Sequence, residues 1–124
     1  MSIEYKFHPN KKATIITAPF SGGQPKGGVE LGPEYILNAG FQKQIDSLGW
    51  KTTVENPLEK VSLEEKKSNI KDEYGVKNAA IVSKCCQLIF DAIKKSLSEG
   101  KLPLVVGGDH SIGTATVGAS LAHN

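Results

Sequence analysis

The sequence contains no arginine: its fifteen basic residues are all lysine, and they are set against thirteen acidic residues. Two-point hydrogen bonding to phosphates and guanine edges favours the planar guanidinium of arginine. A formal net charge of +2 is also too balanced for the basic stripe typical of nucleic-acid-binding domains. We therefore expect no nucleic acid among the partners.

Long apolar runs are also missing. No stretch approaches the roughly 18 apolar residues that a membrane-spanning helix needs. Residues 1–20 lack the basic segment followed by an apolar core that marks a secretory signal. These two absences predict a protein that is neither inserted in a membrane nor secreted.

Cysteine is scarce, with only the adjacent pair Cys85 and Cys86. Neighbouring cysteines rarely form a disulfide with each other, because the ring that results strains the peptide. Both lie in an apolar, helical stretch, so we expect buried, reduced thiols in a cytoplasmic protein.

What is present is ordinary for a globular chain of 124 residues, which is long enough for one domain. Three short apolar segments have the length and composition of strands, and the first and third are predicted to be buried. They cover residues 13–20, 50–54 and 102–106. The polar residues 1–12 predict an unanchored or loosely anchored terminus.

Helical patterns lie between these strands. Short pieces are predicted over residues 33–48, broken at Gly40 and ended at Gly49, with a turn of helix over 63–68. The strongest helix is predicted over 76–98, where apolar residues recur at spacings of three and four, and Gly100 ends it. A helix of small residues follows over 112–122. The alternation of strand and helix predicts an α/β fold with a parallel sheet.

The loop over residues 21–32 holds five glycines and one proline, and long irregular loops of this kind are usually functional. A phosphate-binding loop would require lysine and a hydroxyl residue after its last glycine. Gly28 and Val29 follow Gly27 instead, which argues against a nucleotide site.

The third predicted strand runs directly into Gly107, Gly108, Asp109, His110 and Ser111. Ligands of parallel sheets gather at the carboxyl ends of strands, and the two glycines permit a sharp turn and a close approach. His and Asp are common metal ligands, and Ser111 could cap the next helix. The residues alone leave an alternative open: a capping Asp beside a hydrogen-bonded His. His8 and His123 lie in polar terminal stretches, where we expect solvent exposure.

Three segments resemble the arginase family of ureohydrolases. Residues 18–41 resemble the opening segment of arginases, residues 74–84 resemble the start of the helix before the metal-binding strand, and residues 107–120 resemble the first metal-binding signature. The resemblance covers nearly the whole chain from Ala13 onward.

The resemblance implies a three-layer α/β/α fold with a parallel sheet, here ending after the third strand and its following helix. It implies two Mn²⁺ ions whose bridging hydroxide attacks L-arginine to yield L-ornithine and urea. His110 would ligate one metal, with supporting or structural positions at Asp109, Ser111, Gly107 and Gly108. The complete protein would be a homo-oligomer, either a trimer or a hexamer.

The chain departs from the family pattern, because the later motifs that supply the remaining metal ligands are missing. We therefore expect residues 1–124 to be the incomplete N-terminal part of a single arginase-like domain, inactive alone. Two alternatives stay open. The chain could be a non-catalytic truncated isoform or assembly module, or part of another ureohydrolase such as an agmatinase.

Overall fold

The computed structural model describes residues 4–66, 71 and 73–124. Within them, three strands and five α-helices alternate along the chain, with 3₁₀ turns at Val29–Leu31 and His110–Ile112. The strands are β1 (Lys12–Ala18), β2 (Lys51–Glu55) and β3 (Leu102–Gly107). The helices are α1 (Gly32–Asn38), α2 (Phe41–Ser47), α3 (Leu63–Lys66), α4 (Ala79–Ser98) and α5 (Gly113–His123).

The strands form one parallel sheet in the order β2-β1-β3. β1 is central, and Ile15 lies opposite Val54 on one side and Leu104 on the other. Every residue of β1 after Lys12 is buried, as expected for a parallel strand that is covered on both faces. The predicted parallel α/β sheet is confirmed.

One face of β1 packs against α4. Ile16 and Ala18 share a hydrophobic cluster with Ile89 of that helix, and Ser96 Oγ donates a hydrogen bond to Thr14 Oγ1 at 3.0 Å. These β1 residues are two apart, as the side-chain alternation of a strand requires.

The other face of β1 lies toward α1, the helix that follows it. Thr17 lines a cavity together with Pro33 and Leu37 of α1. Because β2 and β3 lie on opposite sides of β1, right-handed crossovers place α1–α2 and α4 on opposite faces of the sheet. The result is the α/β/α layering that the resemblance implied.

Helix α4 buries a stripe of apolar residues, among them Ile81, Cys85, Ile89 and Ile93. It begins at Ala79, three residues later than the pattern predicted, because Asn78 has a left-handed backbone (φ 58°) that cannot lie inside a helix. Gly100 ends it with φ 73°, as predicted.

Both cysteines are buried and free, as expected. Desolvation raises the pKa of Cys85 to about 11, with a smaller contribution from the neighbouring Cys86. Burial, and then the charge of Asp109, raise the pKa of the Cys86 thiol as well. Neither thiol is therefore suited to act as a nucleophile at neutral pH.

The described part of the N-terminus is held by contacts that the sequence pattern does not reveal. The Tyr5 and Trp50 rings meet edge to face at 5.0 Å, and Asn10 Nδ2 donates to Gly100 O at 3.1 Å. The predicted turn of helix over 63–68 is present as α3, and its last two positions lie outside the described residues, as do residues 1–3. No helix in the described ranges combines the length and apolarity needed to cross a bilayer.

Candidate functional site

The predicted site turn lies at the carboxyl end of β3, beside the end of β1. Gly107 pairs with Ala18 at the last position of the parallel ladder. Gly108 then has φ +81°, and a Cβ there would lie 2.4 Å from Ala18 O and 2.7 Å from Phe20 O. Gly108 therefore permits the close approach predicted for the two glycines, and its neighbour is the backbone of the adjacent strand.

Asp109 is buried within the turn, and its carboxylate accepts three hydrogen bonds. Oδ2 accepts from the backbone N–H of Gly23 at 2.7 Å, and Oδ1 accepts from the backbone N–H of Ser111 at 2.9 Å and from the Ser111 hydroxyl. The backbone N–H of Asp109 also donates to Phe20 O at 2.8 Å. Asp109 thus joins the end of β3 to the loop that follows β1.

The prediction that Ser111 caps the helix is wrong. Asp109 is the N-cap of the 3₁₀ turn His110–Ile112, and the Ser111 hydroxyl donates to the capping carboxylate. Asp109 reaches the free N–H two residues ahead because its own backbone is extended.

His110 follows immediately and is exposed. Its imidazole forms no hydrogen bond with any residue that the structure describes, so no such contact competes with a ligand for the ring nitrogens. The capping alternative therefore holds for Asp109, whereas the hydrogen-bonded histidine that it also required is not observed.

The glycine-rich loop is held from a second direction by the residues just before α4. Asn78 Nδ2 donates to Gly22 O and Lys77 Nζ donates to Gln24 O, each at 3.0 Å. The three segments that carried the family resemblance, 18–41, 74–84 and 107–120, therefore meet at this loop. Sequence reasoning did not single out Lys77 or Asn78, although a polar pair before a long helix was the available signal.

Two cavities flank the loop. One of about 360 Å³ lies between the end of β1 and α1, and one of about 310 Å³ lies among loop residues with Lys66 and Lys77. Glu30 borders both cavities, and its Oε2 accepts a hydrogen bond from Gly28 N at 2.7 Å.

The residues that the structure describes bring no cluster of metal-ligating side chains to this turn. Among residues 4–66, 71 and 73–124, no group of three or more His, Cys, Asp or Glu side chains could hold a metal ion. An exposed imidazole at the end of a parallel strand fits a single ligand position, and a complete site needs at least three.

Comparison with known proteins identifies the family of the chain. A family model described as "Arginase family" matches residues 11–124. An arginase from Eremothecium gossypii is 43% identical over 118 residues, which cover 94% of this chain and 30% of that protein. An arginase from Saccharomyces cerevisiae is 38% identical over 128 residues, which cover 94% of this chain and 38% of that protein.

Solved structures give the same result for the fold. Native arginase from Bacillus caldovelox superposes with a TM-score of 0.76 at 26% identity, covering 91% of this chain and 37% of that one. Entamoeba histolytica arginase, solved in complex with L-ornithine, has the same TM-score and identity, covering 92% and 37%. The chain thus spans between 30% and 38% of the length of these four relatives. On the match over residues 11–124, the chain belongs to the arginase family.

Proposed function

We propose that the polypeptide containing this segment is an arginase, which hydrolyses L-arginine to L-ornithine and urea at a two-manganese centre. The observation that carries this proposal is the exposed imidazole of His110 at the carboxyl end of β3, in a chain of the arginase family. L-ornithine, bound in the Entamoeba histolytica relative, is the expected product.

Each residue of the turn has a distinct part in this proposal. His110 would donate one imidazole nitrogen to a manganese ion. Asp109 would hold the turn in place, because both of its carboxylate oxygens already accept hydrogen bonds from the chain. Gly107 and Gly108 let β3 turn beside β1, and Ser111 secures the Asp109 carboxylate through its hydroxyl.

Bound manganese would act as a Lewis acid and supply a water-derived nucleophile at neutral pH. The chain itself would position His110, because the Asp109 carboxylate of the same turn accepts hydrogen bonds from the backbone N–H groups of Gly23 and Ser111. We further propose that the remaining ligands lie outside residues 1–124, that this segment is the N-terminal part of one domain, and that the complete protein is a cytoplasmic trimer or hexamer.

A second candidate function is an inactive assembly module. The absence of a three-ligand cluster among the described residues favours it for the 124-residue chain taken alone, because a single imidazole forms no closed coordination sphere. The two candidates differ in whether the natural polypeptide releases urea from L-arginine.

The test is urea release from L-arginine, with added Mn²⁺, by the polypeptide as the cell produces it and by residues 1–124 alone. We expect turnover only from a polypeptide that supplies further ligands, and loss of turnover in His110→Ala. His123→Ala is the matched control, because it removes another exposed histidine, thirteen residues after His110 and in the final turn of α5. Turnover that survives in His110→Ala would contradict the assigned role.

Agmatine in place of L-arginine separates an arginase from an agmatinase. The compounds differ by the α-carboxylate, so urea release from agmatine alone would overturn the arginase assignment in favour of another ureohydrolase. Failure of the natural polypeptide to release urea from either compound would favour the assembly module.

A further inference from the structure

A single peptide group of the glycine-rich loop is held by side chains from two different elements. Its carbonyl, Gly22 O, accepts from Asn78 Nδ2 at 3.0 Å, and its N–H, on Gly23, donates to Asp109 Oδ2 at 2.7 Å. The two side chains are 31 residues apart in sequence, and they bind opposite edges of this peptide group, because the C=O and N–H of a trans peptide point in opposite directions. Because the plane is rigid, fixing its carbonyl also fixes the direction of its N–H.

Asn78 is placed unusually for this contact. It directly precedes α4, where asparagine commonly caps a helix, yet its side chain forms no capping hydrogen bond to α4. It adopts a left-handed backbone (φ 58°), which asparagine tolerates better than most residues. The side chain is also buried, so its amide donor must be matched by a protein acceptor.

The hydrogen bonds continue from the peptide to the site turn. Asp109 receives the Gly23 N–H on one oxygen and the backbone N–H of Ser111 on the other. His110 lies between Asp109 and Ser111 in the turn. A change at Asn78 can therefore reach the imidazole through the Gly22–Gly23 peptide and the Asp109 carboxylate.

We propose that Asn78 is a positioning residue for the His110 turn, acting through the Gly22–Gly23 peptide and Asp109. This inference rests on the proposed function for its effect on metal binding, and on the hydrogen bonds alone for its effect on the turn. In this proposal Asn78 touches neither substrate nor metal. It fixes the Gly22–Gly23 peptide, which binds the Asp109 carboxylate of the turn.

The experiment compares two variants at position 78. Asn78→Asp keeps the shape and the left-handed tolerance but replaces the donor with a carboxylate that repels Gly22 O. Asn78→Gly keeps φ above zero and removes the side chain, so it remains informative if the aspartate variant fails to fold. Lys77→Met is the matched control, because Lys77 donates to Gln24 O on the same loop but not to the peptide that Asp109 holds.

Three quantities are measured in the natural polypeptide: hydrogen exchange of the Gly23 amide, the ring-proton chemical shifts of His110 without metal, and the dissociation constant for Mn²⁺. Both Asn78 variants should accelerate Gly23 exchange about tenfold, as loss of roughly one hydrogen bond implies, and should shift the His110 ring signals. Mn²⁺ binding should weaken by about 10-fold, the lower end of the cost of losing a direct partner of a metal ligand, because Asn78 acts on His110 only through Asp109. Lys77→Met should leave all three close to wild type.

A double variant tests whether the groups act in series. Asn78→Gly combined with Asp109→Asn should weaken Mn²⁺ binding no further than Asp109→Asn alone. Unchanged Gly23 exchange and His110 signals in both Asn78 variants would overturn the proposal, as would an equal response to Lys77→Met. If the wild-type protein binds no Mn²⁺, the proposed function fails, while the Gly23 and His110 measurements still decide the role of Asn78.

Discussion

The Asp109 carboxylate and the Gly23 backbone amide, 86 residues apart in sequence, form a hydrogen bond of 2.7 Å. The contact joins the turn after β3 to the loop after β1, at the carboxyl ends of these two parallel strands. A buried carboxylate that accepts hydrogen bonds on both oxygens is costly to alter, since each donor left behind loses its partner. The predictions below begin from this contact.

Replacing Asp109 with asparagine should destabilise the fold. One carboxylate oxygen becomes an amide NH₂ group, which cannot accept from Gly23 N–H or from Ser111. We expect a loss of about 1–3 kcal/mol in the free energy of unfolding, measured by urea denaturation. Asp91→Asn is the control, because Asp91 is exposed on α4, where its Oδ1 accepts a hydrogen bond from Gln87 Nε2 at 2.9 Å. Equal stability of the two variants would contradict the structural role of Asp109.

Adding a methyl group at Gly23 should also destabilise the loop. A Cβ there would lie 2.5 Å from Ser111 Cβ and 3.1 Å from Asp109 Oδ2, so the site turn or the loop must move. We expect Gly23→Ala to cost about 1–3 kcal/mol, as other overpacked positions do. Gly27→Ala is the matched control in the same loop, because the nearest atom to its Cβ is Glu30 Oε1 at 3.8 Å. Thermal unfolding of the two variants makes the comparison, and a tolerated Gly23→Ala would show that the loop is not packed against Ser111.

The buried thiol of Cys85 predicts a loss of stability at alkaline pH. Its pKa is raised to about 11 in the fold from an ordinary value of 9.0. Between these values the unfolded chain binds fewer protons than the folded one, so the free energy of unfolding falls as pH rises through this window. Below this pH window the Cys85 thiol is protonated in both the folded and the unfolded chain, so it adds no pH dependence to the free energy of unfolding.

Urea denaturation across the same pH window tests this effect. The fall in stability should be smaller in Cys85→Ala than in wild type. Ile93→Val is the control, because it removes buried volume from the same helix without a titrating group and should leave the pH slope unchanged. A wild-type slope retained in Cys85→Ala would assign the effect to other groups.

The 124-residue chain alone should self-associate. β3 is one of the two edge strands of the described sheet and its residues are only partly buried, which leaves backbone groups free to pair with another chain. On α5, Val117 and Leu121 lie four residues apart and are exposed. Light scattering should therefore show a mean mass that rises with concentration.

A variant with Val117→Glu and Leu121→Glu separates the two surfaces. Reduced association would assign contact to the α5 face, and unchanged association would assign it to the edge strands of the sheet, β2 or β3. A wild-type chain that stays monomeric at every concentration, with a sharp unfolding transition, would contradict the prediction itself.

The elements could be predicted because their signals are local. Strand composition, the spacing of apolar residues in α4, and the glycines at positions 40, 49 and 100 each act within a few residues, so the alternation of strand and helix predicted the parallel sheet. The start of α4 was missed because Asn78 has a left-handed backbone, and its side chain binds Gly22 O, 56 residues away, rather than the helix.

The site was predicted in part. The sequence by itself determined that glycines, a carboxylate and an imidazole follow β3, because those residues are contiguous. Only the tertiary structure decided that Asp109, and not Ser111, caps the turn, and that Asn78 and Asp109 hold one peptide of the loop between them. Hydrogen bonds between distant segments depend on how the sheet brings its strand ends together, and no local pattern of residues encodes that geometry.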